Sequence, residues 1–222
     1  MFSSIYKFFI LLAAILCMAA CGVTARVEPF METTSNLEQG ESIVILGRKH
    51  QANYQTESSL VDCISSRLSS GSNGIPIFPS RRFENALFPW FEPSTAPLTT
   101  PEFATLLEND LVFDQIAQTG VRYIVWLDGS TDRTDSGGTI SCSAGPAGAG
   151  CVGLAWWEDD ARYDATVWDI KTLDSAGTIY VDYTGRSMIP ALIIPIPLVV
   201  RTQQAACEGL SEQLSSFFVS NQ

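Results

Sequence analysis

"QIAQTGVRYIVWLDGS", residues 115 to 130, holds the clearest structural signal in the chain. The preceding residues carry apolar positions at helical spacing, Gly120 stands just past the end of that pattern, and Val121–Gly129 follows at once as a β-branched and aromatic run. Glycine can take the left-handed conformation that closes a helix, and a short aliphatic-aromatic run reads as a buried strand. A helix that stops at a glycine and feeds a strand is a junction of an α/β fold.

Working upstream, "TTPEFATLLENDLVFDQIAQTG" (99–120) is the helix behind that junction, with Thr100 as cap and Pro101 at the first helical position. Residues 79–100 are punctuated by Pro79, Pro89, Pro93 and Pro97, leaving room for one helical turn around "SRRFENALF". "IPIF" (75–78) is a second strand, and Pro76 assigns it to an edge. "TESSLVDCISSRLSS" (56–70) places Leu60, Val61, Ile64 and Leu68 on one helical stripe, with Thr56 as its cap, and "SIVILGR" (42–48) is a buried strand.

Downstream, "STDRTDSGGTISCSAGPAGAGCVG" (130–153) reads as a Gly- and Ser-rich loop. "LAWWED" (154–159), "RYDATVWDIKT" (162–172) and "TIYVDYTG" (178–185) follow as antiparallel strands, the last two joined through "LDSAG". Three prolines forbid a regular helix in "MIPALIIPIPLVV" (188–200), and "RTQQAACEGLSEQLSSFF" (201–218) closes the chain as an amphipathic helix. The predicted fold is α/β: a single mixed sheet in β-α-β-α-β-β-β-α order, flanked by helices, with a C-terminal antiparallel hairpin and a closing helix.

The first 20 residues have a different character. A short start carrying Lys7, the apolar run Phe8–Ala20, and then small residues have the layout of a secretion signal. The run is too short for a spanning helix, which needs about 20 apolar residues. "MAAC" (18–21) resembles the bacterial lipobox, where a signal peptidase cuts before a cysteine that bears diacylglycerol, although Met18 stands where that pattern prefers Leu. The resemblance implies lipidation at Cys21 by diacylglycerol and palmitate. Gly22 in place of Asp implies the outer membrane, with the domain facing the periplasm. Ordinary cleavage near Ala20, leaving a free Cys21, is the alternative. Two or more acyl chains anchor stably where one does not. The predicted organisation is a signal peptide over 1–20, a lipidated flexible tether over 21–41 spanning roughly 25 Å, and one α/β domain over 42–222 that includes the 130–153 loop.

The chain has 222 residues, 13 basic and 24 acidic, and a net charge of −11. Removing the signal removes Lys7 and makes the charge more negative. Such a surface repels phosphate backbones, so no nucleic-acid partner is expected. Beyond Cys21 lie four cysteines, Cys63, Cys142, Cys151 and Cys207, an even number that in an oxidising compartment reads as two disulfides.

"IVILG", then helix, then "QIAQTGVRYIVWLDGS", then "ATVWDIKTLDSAGTIYVDYTG" is similar to the α/β domain of several envelope lipoproteins. These are the curli-secretion lipoprotein, the lipoprotein activators of penicillin-binding proteins, and the N-terminal domain of TolB. The resemblance covers residues 42–185 and 201–218, and Asp169, Thr172 and Gly177 resemble the hairpin turn of that group. It implies that the first and last helices share a face of the sheet, which makes a Cys63–Cys207 bridge natural. Cys142 and Cys151 then close "CSAGPAGAGC". By the chain-entropy relation the short loop is worth about 2.7 kcal/mol and the long one about 5 kcal/mol.

No residue set declares a reaction. His50 is the only histidine, and there is no G-x-S-x-G elbow to go with it; it reads as a solvated loop residue just after a strand. No C-x-x-C pair suggests zinc, and neither "DGSTDRTD" nor "EDD" (158–160) has calcium-loop spacing, so no metal and no cofactor are expected. Nothing in the spacing selects Glu158 and Asp164 as a glycosidase pair. Trp156 and Trp157 are adjacent and face opposite sides of a strand, one toward the core and the other exposed or under the stapled loop, where it would serve binding. Residues 188–200 are expected to run buried as an extended connection, with an apolar contact for a partner or membrane as the alternative.

The expectation is a non-enzymatic, membrane-anchored lipoprotein acting as a periplasmic binding or assembly module with an envelope protein partner. An oligomeric subunit of a secretion or transport complex is the second reading. An envelope hydrolase is the third.

Overall fold

A computed structural model of the chain describes residues 23–33, 35, 37–51, 54–70, 74–92, 95–146 and 148–219. The expected signal peptide and Cys21 lie outside these residues. Among them the elements run β1 (Val23–Met31), β2 (Ser42–Gly47), β3 (Lys49–Gln51), β4 (Tyr54–Gln55), α1 (Ser58–Ser70), β5 (Ile77–Phe78), α2 (Ser80–Ala86), α3 (Thr100–Leu107), α4 (Asp110–Thr119), β6 (Val121–Gly145), β7 (Gly148–Asp169), β8 (Asp174–Ile193) and α5 (Thr202–Val219). One mixed six-stranded sheet has the order β1-β8-β7-β6-β2-β5, so the expected α/β class is the one found. The described residues of Arg26–Ser130, Arg162–Asp182 and Gln203–Gln222 form an α/β unit, and those of Met1–Ala25, Thr131–Ala161 and Tyr183–Thr202 form a hairpin unit. Strands β6, β7 and β8 each contribute residues to both.

In the α/β unit, β2 lies between β5 and β6, parallel to both, with Ile43, Val44, Ile45 and Leu46 opposite Tyr123, Ile124, Val125 and Trp126. Side chains alternate between the two sheet faces, and both are covered, which is why these strands read as continuous apolar runs. On one face Val44, Leu46, Ile124 and Trp126 pack with Phe83, Phe103, Val112 and Ile116 of α2, α3 and α4. On the other, the Tyr123 ring meets Phe218 of α5 edge-on at 5.4 Å. The Cys63–Cys207 disulfide joins α1 to α5, as the envelope-lipoprotein resemblance implied.

Helix ends follow local chemistry with small shifts from expectation. Thr99, not Thr100, caps α3, its hydroxyl accepting from the Glu102 N–H. The expected long helix is broken in two, because Asn109 starts α4 by accepting from the Leu111 N–H. Gly120 ends α4 at φ 68°, the left-handed conformation its position called for. Thr56 is no cap: it is buried, and its hydroxyl donates to the Leu127 carbonyl at 3.0 Å. The backbone of His50 belongs to β3, which pairs with β4, and is not loop.

The proline-kinked stretch is held by a buried cation. Arg48 donates to the carbonyls of Pro97 and Leu98, each at 3.0 Å, and lies 4.4 Å over the Trp126 ring. Burial lowers the basicity of its guanidinium, and the charges of Asp128, Asp164 and Glu102 oppose that loss.

Two further expectations are corrected. Residues 23–31 are no tether but strand β1, at the sheet edge beside β8. Glu32 N–H bonds to the Ala176 carbonyl, and a Cβ on Gly177 would sit 2.7 Å from the Phe30 carbonyl oxygen. Gly177 therefore allows the close approach of β1 instead of forming a turn. Asp169 does form the turn: its Oδ1 accepts from Lys171 N–H at 2.8 Å and Thr172 N–H at 3.3 Å. The 130–153 stretch is likewise no loop. β6 continues to Gly145 and β7 begins at Gly148, so pairing across a two-residue connection offsets the low strand preference of glycine and serine.

Candidate functional site

The Cys142–Cys151 disulfide ties β6 to β7 near the end of this hairpin, as expected. Beside it in the hairpin unit, the segment expected to be buried doubles back on itself. Met188 and Leu198 exchange backbone hydrogen bonds at 2.9 and 2.8 Å, and Ile196 N–H reaches the Pro190 carbonyl at 3.0 Å. The Ser187 hydroxyl accepts from Val200 N–H at 2.9 Å. Pro190, Pro195 and Pro197 lack the N–H groups needed to extend this pairing, so the segment ends in a projecting tip.

The tip is apolar and open to water. Leu192 is 86%, Ile193 69% and Ile194 70% exposed, and Ile196 and Val199 are exposed too. The expectation of burial is therefore overturned: backbone pairing within the segment satisfies its polar groups without a covering layer. Ile193 has φ 98°, a conformation disfavoured for a β-branched residue and of a kind that concentrates at functional positions. Gly150 of the stapled hairpin lies against it; a Cβ there would be 3.8 Å from the Ile193 Cα. Val152 and Leu154, exposed and two apart on β7, extend the apolar area.

Trp156 and Trp157 are further along β7, both half-buried, so neither is the core residue one of them was expected to be. Each has its own arginine. Arg186 lies 5.2 Å over Trp156 and pairs with Glu158 at 2.9 Å. Arg133 lies 5.1 Å over Trp157 and pairs with Asp159 at 3.1 Å, while Trp157 Nε1 donates to Asp159 at 3.0 Å. Strand periodicity explains the pairing, since Trp156 and Glu158 share one face and Trp157 and Asp159 the other. The i, i+2 spacing of Trp and acid was visible in the sequence; the two arginines, on other strands, were not. Glu158, considered earlier for catalysis, is thus engaged with an arginine. The surface offers contact area backed by a covalent brace and cation–π pairs, a recognition geometry.

Among the described residues, no three or more metal-ligating side chains gather, and no helix is long and apolar enough to cross a membrane.

No protein-family model and no curated protein matches the chain. Among solved structures it is similar to the PelC dodecamer from Paraburkholderia phytofirmans, at 15% identity and TM-score 0.40, with 88% of this chain and 97% of that chain covered. It is also similar to a single-substitution variant of that dodecamer in another crystal form, at 12% identity and TM-score 0.39 with the same coverage.

Proposed function

We propose that this chain is a non-enzymatic, lipid-anchored module of the bacterial outer membrane, facing the periplasm, whose hairpin unit lies at the bilayer and which binds or assembles envelope protein. The observation that carries the reading is how near a strand of the fold stands to Cys21. β1 starts at Val23, two residues after the lipobox cysteine, and Val23–Ala25 belong to the hairpin unit. Two peptide links reach at most about 8 Å. A lipid on Cys21 therefore holds the unit with the apolar tip near the bilayer, where Leu192, Ile193 and Ile194 find an apolar phase. The Trp156–Trp157 flank, with its arginines, is left for an envelope protein.

The test is metabolic palmitate labelling of the full chain beside Cys21→Ser and Leu192→Asp/Ile194→Asp. We expect label and membrane fractionation to be lost together in the first variant. In the second, label stays while release by mild salt and carbonate washing increases. Absence of label in the unaltered chain, or unchanged fractionation of Cys21→Ser, overturns the anchor.

A second reading, an oligomeric subunit of a secretion or transport complex, is favoured by β1. Among the described residues it is the outer strand of the sheet, its far edge paired with no other strand, and Phe30 is 67% exposed. A single oligomer larger than a monomer in size-exclusion chromatography would select it.

A further inference from the structure

The α/β unit contains a cavity that the recognition surface does not use. It has a volume of about 590 Å³, within the range of small-molecule sites, and is partly open to solvent. Its wall is mainly aliphatic: Leu107, Ile116, Ile170 and Leu173, with Phe113 as the aromatic member. Phe113 and Leu173 are both exposed, and Leu173 has φ 58°, so apolar side chains are left in water at the opening.

The basic groups that line the cavity gather in one place. Arg122 pairs with Asp169 at 2.6 Å, and Asp169 in turn accepts from the Lys171 N–H. The Lys171 ammonium lies 2.6 Å from Glu41 and 3.6 Å from Glu38. The Nε–H of Arg122, enclosed by protein in this structure, has no hydrogen-bond partner, and a rotation of the side chain toward the cavity would expose it. A buried guanidinium donor without an acceptor is uncommon and is best satisfied by a charged oxygen. Glu41 and the exposed Glu108, the residue that follows α3, also line the cavity and add no donor.

We infer that this cavity binds a single-chain amphiphile, its aliphatic body along the apolar wall and its anionic head at the end lined by the Arg122 and Lys171 side chains. An aliphatic wall with its basic groups gathered in one cluster suits one chain with one polar end. A peptide would need hydrogen-bonding groups spread along the wall. The site is separate from the covalent lipid proposed at Cys21 and does not depend on it.

The test uses the purified full chain carrying Cys21→Ser, in detergent-free buffer, with 11-(dansylamino)undecanoic acid as fluorescent probe. We expect saturable binding at one probe per chain. Palmitate should displace the probe at least tenfold more effectively than hexadecylamine, which has the same chain and a cationic head. A parallel arm with palmitoyl lysophosphatidate tells whether a carboxylate or a phosphate head is preferred. Ala117→Trp fills the cavity from an exposed position on α4 and should weaken binding at least tenfold with an unchanged circular dichroism spectrum. Leu192→Ser/Ile194→Ser should leave binding unchanged. The inference is overturned by non-saturable binding, by equal displacement by amine and acid, or by loss of binding in the Leu192→Ser/Ile194→Ser variant. Should Ala117→Trp not fold, the acid-against-amine comparison in the otherwise unaltered chain decides alone.

Discussion

Glu84, on α2, shows how one residue's surroundings set a pH dependence. Its half-burial disfavours the carboxylate, the charge of Glu92 adds to that, and Arg81 only partly offsets it, so the carboxyl titrates above its ordinary value. The unfolded chain loses this proton near pH 4.3. The folded chain loses it at higher pH, so stability declines as pH rises between the two values. Glu84→Gln should therefore be more stable than the wild type at neutral pH, by about 0.5 kcal/mol since solvent screens the group. The difference should shrink toward zero below about pH 4; chemical denaturation at several pH values measures it. At the tip, Ile193 holds a positive φ that glycine adopts freely. Ile193→Gly should raise stability by up to about 1 kcal/mol, the scale of such backbone strain, seen as a higher Tm. Neither effect was legible in the sequence. Glu84 depends on Glu92, eight residues away across a turn, and Ile193 on the fold-back that follows it.

At the scale of elements, the β6–β7 hairpin departs most from its local composition. The Gly- and Ser-rich sequence over 130–153 carries little strand preference, yet residues 130–145 and 148–153 belong to paired strands. The Cys142–Cys151 bridge closes a separation of nine residues and limits the open states of that end. Replacing both cysteines by serine should cost about 2–3 kcal/mol by the chain-entropy relation. The loss should show as faster amide hydrogen exchange over residues 139–154, while β2 and α5 keep their protection. Elements with a strong period were legible: β2, β5, the start of β6, and the stripe of Cys207, Leu210, Leu214, Phe217 and Phe218 on α5. All five of those stripe residues are buried. β1 was not legible, because its residues are almost all exposed and it exists through pairing with β8, some 150 positions later.

Across the whole molecule, the Cys63–Cys207 bridge spans 144 positions and links the first described helix, α1, to α5. Replacing both by serine should cost up to about 5 kcal/mol by the same relation, and should lower the unfolding midpoint of the α/β unit more than loss of the hairpin bridge does. Denaturant titration of the two double variants side by side checks the order. The amino-acid sequence by itself determined the α/β class, the parallel strands β2, β5 and β6 with helices between them, and the two disulfides once the resemblance set α1 and α5 on a common face. Those features rest on side-chain period and local capping, both properties of neighbouring residues. Only the tertiary structure decided that residues 23–31 form an edge strand, that the glycine-rich stretch is a hairpin, and that residues 188–200 project as an exposed apolar tip. The reason is shared by all three: each segment obtains its backbone hydrogen bonds from a partner strand, and strand pairing leaves no periodic mark when the side chains it brings together are small, polar or exposed.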